Sequence, residues 1–236
     1  MGRLDRKLHP VPTISGRPRE RSRSLKQSIY QQLRERIIFQ ELKPGEFLNE
    51  TRLASELGVS RTVLREILQR LIADGLLLAT PGQGVHVQGI DLLMLKSAYE
   101  MRVPLEGLAG RLAAERAQPE HIQALEALIS QGEEASRHKG YRQMARLDWE
   151  FHRVIGEAIR NELLAATLLR LLMPFNRLWY IAMVDHGKIG NFVQEWREVV
   201  AALKRRQPAA AEKALVEHMV ATPAVISPVL SLRQFP

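Results

Sequence analysis

From Leu25 the apolar positions recur every four residues, as Leu25, Ile29, Leu33 and Ile37, and that stripe predicts an amphipathic helix. Leu42-Lys43-Pro44-Gly45 stops it. A short helix is expected from Glu50 to Leu57, ended by Gly58. A second is expected from Arg61 to Asp74, with Ser60 at its N-cap and Gly75 where a left-handed C-terminal residue belongs. Its apolar stripe is Val63, Leu64, Ile67, Leu68 and Leu71. The period then changes. Leu76 to Ala79 and Val85 to Val87 read as the chain's two strands, joined by Pro81-Gly82-Gln83-Gly84 as a small hairpin. Residues 88–91 read as a linker. From Asp91 the helical period returns in six segments, 91–116, 119–138, 141–159, 161–184, 189–205 and 209–222, whose short connections imply an antiparallel bundle. Pro104 and Pro174 are expected to kink two of them.

The fold class is therefore mainly α, an N-terminal winged helix-turn-helix with a small β-hairpin wing followed by a C-terminal antiparallel all-α bundle. The expected divisions are a basic arm at 1–23, the winged helix-turn-helix at 24–88, the helical domain at 91–222 and an irregular tail at 223–236, which holds Pro223, Pro228 and Pro236. No internal repeat is present.

Composition narrows the chemistry. The chain of 236 residues is 45% hydrophobic and 25% charged, enough for a packed core. It has no cysteine, which excludes disulfides, cysteine-held zinc, iron–sulfur clusters and thiol nucleophiles. No apolar run is long enough to span a membrane, and the charged start Met1-Gly2-Arg3-Leu4-Asp5-Arg6-Lys7 argues against a signal peptide, so the expected location is cytoplasmic, with no membrane partner. The formal charge is +8, of which +5 falls in residues 1–25 (Arg3, Arg6, Lys7, Arg17, Arg19, Arg21 and Arg23 against Asp5 and Glu20). A segment so rich in Pro, Ser and Arg is expected to be disordered. It serves either as a solubilising tail or as an arm that follows nucleic-acid phosphates.

Two short helices meeting at Leu57-Gly58-Val59-Ser60, with a two-stranded ribbon after them, form a helix-turn-helix with a wing. The second helix of such a pair fits a DNA major groove and offers its first residues to base edges. The non-core positions there are Arg61, Thr62, Arg65 and Gln69. Arginine can bond guanine N7 and O6 together, threonine can touch a thymine methyl or a phosphate, and Ser60 at the helix start suits a phosphate. The alternative is a helix-turn-helix used for protein contacts, with Arg61 and Arg65 as solvated charges. The near-neutral balance of residues 26–90, +1, means that DNA affinity must come from placed arginines and the arm.

Residues 26–88 resemble the winged-helix domain of the GntR family of bacterial transcription regulators. The carrying stretches are Leu42-Lys43-Pro44-Gly45, then Thr51 through Glu66, Leu71 through Gly75, and the Gly82/Gly84 wing. The resemblance implies DNA contacts from Arg52, Ser60, Arg61, Thr62 and Arg65, and a wing contact from Gly84 and His86. The family usually has proline where this chain has Val63 or Leu64, a change that is conservative within a helix.

Residues 92–222 resemble the effector-binding FCD domain of the family's FadR-type branch. Tyr99-Glu100-Met101-Arg102-Val103-Pro104-Leu105-Glu106 is similar to its opening helix, whose arginine often holds a ligand carboxylate. Asp148-Trp149-Glu150-Phe151-His152 is similar to its metal motif, and Val216-Glu217-His218-Met219 to its last histidine motif. Asp148 and His152, four apart, share one helical face, and such donors suit zinc, nickel or manganese, with open positions for a small carboxylate beside Arg102. The chain departs from the pattern at Trp196, which stands at the family's middle histidine and cannot ligate a metal. The remaining ligands are Asp148, His152 and His218, with weakened affinity, and Trp196 is counted among the effector-site residues as a filler of space. The alternatives are a hydrogen-bonded Asp148–His152 pair with His218 unrelated, and Arg102 in an i,i+4 ion pair with Glu106.

Trp149, Phe151, Phe175, Trp179 and Tyr180 are expected to pack the bundle or line its cavity, and His121, His138 and His186 to lie near helix ends. Gly82-Gln83-Gly84 does not open a helix and so is no dinucleotide loop. These readings point to a dimeric repressor that binds a palindromic operator in double-stranded DNA and is controlled by a small organic acid. Two alternatives remain: a regulator whose bundle is plugged and ligand-free, and a bundle enzyme with a metal-activated water. No nucleophile elbow, phosphate loop or histidine-helix protease motif supports an enzyme.

Overall fold

A computed structural model describes residues 18–187 and 191–232, with side chains throughout except at 18–23, 92, 186 and 221–232. The chain divides into two compact units, residues 1–87 and 88–236.

In the first unit, helix α1 (Pro18–Ile38) buries Ile29, Leu33 and Ile37. Helices α2 (Glu50–Leu57) and α3 (Arg61–Ala73) lie where the stripe and caps place them. The Asn49 side chain accepts a hydrogen bond from the Arg52 N–H, and Gly58 closes α2 at φ +65°, a conformation open to glycine without a Cβ clash. The Tyr30 hydroxyl donates to Asp74 at 2.6 Å and so ties α1 to the end of α3. Strands β1 (Leu77–Thr80) and β2 (Gly84–Val87) pair antiparallel, with Leu78 opposite His86 and Thr80 opposite Gly84.

Two expectations are corrected here. Helix α1 begins at Pro18, so residues 18–23 are helical rather than part of an arm; proline suits a first helical position, where its missing N–H costs nothing. Arm residues 1–17 lie outside the described residues. The ribbon also has a third edge, because Phe47 bridges to His86, the Leu48 N–H donates to the Val85 carbonyl at 2.8 Å and the Val87 N–H to the Glu46 carbonyl at 3.0 Å. One bridging residue leaves no alternation to read.

The second unit is a bundle of α4 (Leu92–Arg116), α5 (Pro119–Arg137), α6 (Tyr141–Ala158), α7 (Glu162–His186), α8 (Phe192–Lys204) and α9 (Pro208–Leu232). Helix α4 packs most extensively on α9. Gly110 makes that closeness possible: a Cβ there would stand 2.5 Å from the Ala211 carbonyl oxygen. Helices α4 and α7 run through Pro104 and Pro174, and α9 continues through Pro223 and Pro228 to Leu232. The expected irregular tail is thus helical to residue 232, and residues 233–236 lie outside the described residues. Proline removes one helical hydrogen bond, yet its fixed φ is the helical value, so a helix can continue through it.

Among the described residues no helix is long and apolar enough to cross a membrane.

Candidate functional site

Each unit carries a group of candidate residues, one exposed and one buried. In the first unit, α3 turns Leu64, Ile67, Leu68 and Leu71 into the core, which leaves Arg61, Thr62, Arg65 and Gln69 in solvent. Ser60 caps the helix, its Oγ accepting from the Val63 N–H at 3.3 Å. Arg52 is exposed on α2. Arg65 is held across the motif, its Nε donating to Glu50 Oε2 at 2.7 Å in a largely exposed pair.

The wing residues have structural duties. Gly84 sits at φ +81°, and a Cβ on it would lie 2.8 Å from Phe47 Cε2. The His86 ring lies 5.4 Å from the Phe47 ring, with Nε2 2.9 Å from the Gln83 carbonyl oxygen. Both residues hold the wing to the 45–48 edge, and the exposed tip is Pro81, Gly82, Gln83 and Gly84.

In the second unit, Asp148 and His152 from α6 meet His218 from α9. All three are buried, and their donor atoms lie within 4.8 Å of one another. The two imidazole rings stack at 5.5 Å. Asp148 Oδ2 accepts from Asn176 Nδ2 of α7 at 3.2 Å, and that amide also donates to the Ala145 carbonyl. Arg102 of α4 is 2% exposed, and its Nη2 reaches both Glu106 Oε1 at 2.9 Å and His152 Nε2 at 3.2 Å. Glu106 Oε1 is also 3.3 Å from His152 Nδ1. His218 Nδ1 lies 2.6 Å from Glu195 Oε2 of α8. Burial pushes the Glu106 carboxyl up, but the His152 ring and the Arg102 guanidinium outweigh it and hold it at about 2.

Arg102 thus makes the i,i+4 pair with Glu106, and it also faces the histidine cluster. Arg102, Asp148, His152 and His218 line one small cavity together with Phe175, Asn176, Trp179 and Phe192. Its volume is about 10 Å³, room for roughly one water.

Trp196 is not among the residues that line this cavity. It is fully buried and stacks on Phe151 at 4.9 Å, one layer behind the cavity. A large apolar ring gains most where it is surrounded on all sides. Phe175 and Trp179 do line the cavity, while Trp149 and Phe151 pack the core. His121 serves the start of α5, its Nδ1 accepting from the Gln118 N–H, and His138 closes α5 in an exposed pair with Glu134. The His186 side chain lies outside the described residues.

Asn176 and Glu195 are the polar residues of this site that sequence reasoning passed over. Asn176 had a signal, a lone amide in the apolar run Leu171-Leu172-Met173-Pro174-Phe175. Glu195 stands beside the position that drew notice, Trp196.

A cluster of one buried carboxylate and two buried imidazoles, with Asp148 held by Asn176 and His218 by Glu195, is a donor set that fits a divalent cation.

Residues 25–87 match the family model described as bacterial regulatory proteins, gntR family, and residues 97–221 match that of the FCD domain. The chain is 31% identical, over 80% of its length and 85% of the relative's, to an uncharacterized HTH-type transcriptional regulator, YdhC, of Bacillus subtilis (strain 168). It is 29% identical, over 82% of its length and 87% of the relative's, to the probable D-xylose utilization operon transcriptional repressor of Paenarthrobacter nicotinovorans. Among solved structures, E. coli McbR/YncC superposes with a TM-score of 0.77 at 22% identity, over 87% of this chain and 98% of that one, which is the same fold.

Proposed function

The chain belongs to the GntR family, as a DNA-binding transcriptional regulator with an FCD domain behind its winged helix-turn-helix, and from that premise we propose that it is a cytoplasmic repressor released by a small organic acid. It binds a palindromic operator as a homodimer. Arg61 and Arg65 read base edges or adjacent phosphates, Arg52, Ser60 and Thr62 position the motif, and the wing carrying Gly84 and His86 meets the minor groove. The observation that carries this part is the row Arg61, Thr62 and Arg65, exposed on a helix whose other face is wholly buried.

Asp148, His152 and His218 would hold a divalent cation such as Zn²⁺, Ni²⁺ or Mn²⁺, which would supply an open position for a carboxylate oxygen. Arg102 neutralises that carboxylate. Effector binding shifts the population between arrangements of the subunit that do and do not suit the operator.

A second reading is a regulator whose bundle takes no ligand. The cavity of about 10 Å³ favours it, because a carboxylic acid needs the surrounding side chains to move apart.

Selection of bound sequences from random duplex DNA, at a stated salt concentration, tests the first part. One enriched inverted repeat supports a dimeric sequence-specific regulator, and no enrichment counts against it. In folded protein, Arg65→Ala is expected to abolish binding to that repeat, and unchanged affinity would sink the docking. Thermal-shift screening of organic acids, with and without Zn²⁺, Ni²⁺ or Mn²⁺, separates the two readings of the bundle. A ligand selective for the folded state raises Tm, and no rise across the panel supports the ligand-free bundle.

A further inference from the structure

We propose that Glu195 is the positioning residue of the histidine cluster. It holds the Nδ1 proton of His218 and so fixes the ring that α9 brings to a shared cation. This rests on the cation-binding reading above and extends it to a residue outside the ligand set.

The assignment follows from donor counting. A carboxylate can only accept, so the 2.6 Å contact of Glu195 Oε2 with His218 Nδ1 puts a proton on Nδ1, which makes Nε2 the nitrogen this ring would offer a metal. Glu106 does not orient His152 in the same way. Its Oε1 is 3.3 Å from His152 Nδ1 but 2.9 Å from Arg102 Nη2, which itself stands 3.2 Å from His152 Nε2. Two atoms so close together cannot both lie along the diverging axes of the two ring nitrogens, so Glu106 serves Arg102 and Glu195 serves the ring of His218.

The placement of Glu195 also explains how α8 serves the cluster without a histidine. Residue 196 points to Phe151 and the core. Its neighbour Glu195 reaches the buried His218 ring from a side chain that is 20% exposed. Helix α8 supplies orientation in place of a ligand.

The test uses the full-length protein in two measurements. In metal-free protein, side-chain ¹⁵N NMR is expected to show a proton on His218 Nδ1. Glu195→Ala is expected to change the pattern of His218 alone. Zn²⁺ titration against a competing chelator is expected to show affinity about 10- to 100-fold weaker in Glu195→Ala. Glu195→Gln, whose amide oxygen still accepts from Nδ1–H, should lie closer to wild type. A purely structural role for Glu195 would not give selective rescue by glutamine together with a tautomer change confined to one histidine. The Nε2–H tautomer at His218 in wild type, or unchanged Zn²⁺ affinity in folded Glu195→Ala, overturns the proposal. Wild-type protein that shows a proton on His218 Nδ1 yet takes up no Zn²⁺, Ni²⁺ or Mn²⁺ upholds the Glu195 contact and overturns the cation reading instead.

Discussion

The two groups of candidate residues are held in opposite ways. On α3 and α2 the arginines stand in water, and the one contact that restrains Arg65 is a largely exposed pair with Glu50. In the bundle, Arg102, Glu106, Asp148, His152 and His218 are all buried and linked in one polar network. An exposed charge loses little when its neighbour is removed, because water takes the neighbour's place. A buried charge left alone keeps its desolvation penalty with nothing to offset it. Substitutions in the winged helix therefore report on recognition with stability intact. Substitutions in the network report on stability first, and its chemistry must be read from variants that keep a hydrogen-bonding atom.

The largest effect that sharpens this contrast is expected from Glu106→Ala. It leaves the Arg102 guanidinium buried without its carboxylate, and breaking such a pair typically costs about 3–5 kcal/mol. Arg65→Ala, with a side chain 60% exposed, should move stability by no more than about 0.5 kcal/mol. Urea unfolding of both variants measures the difference. Similar losses in the two would remove the distinction between the sites.

Acid should act on the same network. The folded pKa of Glu106 is depressed, to about 2 against an ordinary 4.5, so its contribution is complete above pH 4.5 and is lost as pH falls toward 2. Two and a half units amount to about 3 kcal/mol at most. Stability measured from pH 5 to pH 2 is expected to fall more steeply in wild type than in Glu106→Gln. Parallel curves would show that Glu106 carries no special charge stabilisation.

How much of each region was legible in the sequence follows the same divide. The helix-turn-helix is local: Asn49, Gly58 and Ser60 act on residues three or four away, so caps and stripe located α2 and α3 almost to the residue. The bundle's helices were legible for the same reason. Its network is not local, since it draws one or two residues each from α4, α6, α7, α8 and α9. Asp148 and His152 were visible through their spacing of four. Glu195 carries no such mark, and its partner lies 23 residues on, in another helix. The place of Trp196, behind the cavity lining, was hidden for the same reason. Alignment fixes position along a helix, but a side chain of different size can turn to the neighbouring layer, as this one does against Phe151. The third edge of the wing was hidden because Phe47 pairs as one residue, without the alternation that announces a strand.

Gly84→Ala brings the comparison into the winged helix, as the one candidate there whose backbone, rather than charge, is at stake. At φ +81° an alanine is strained, and its Cβ would push Phe47 aside, for a cost of about 1–2 kcal/mol. That is well below the Glu106→Ala loss and above the Arg65→Ala loss. Unfolding of the variant checks the order, and a neutral substitution would mean that the wing accommodates a side chain at this turn.

The smallest effect expected is that of Glu50→Gln, and its sign is informative. The pair with Arg65 is largely exposed, so its loss should cost under about 1 kcal/mol of stability. Glu50 also places a negative charge beside a residue assigned to DNA. If the carboxylate merely restrains Arg65, neutralising it frees the Nε and removes a repulsion from phosphate. Operator affinity should then rise by roughly two- to fivefold, more at low salt than at high salt. If the carboxylate instead aims the guanidinium at its base, affinity should fall and the salt dependence should hardly change, because no phosphate contact is gained. Binding isotherms at two salt concentrations decide between them, and restraint is the expected result, because an exposed pair of this kind is too weak to fix a flexible arginine in one direction.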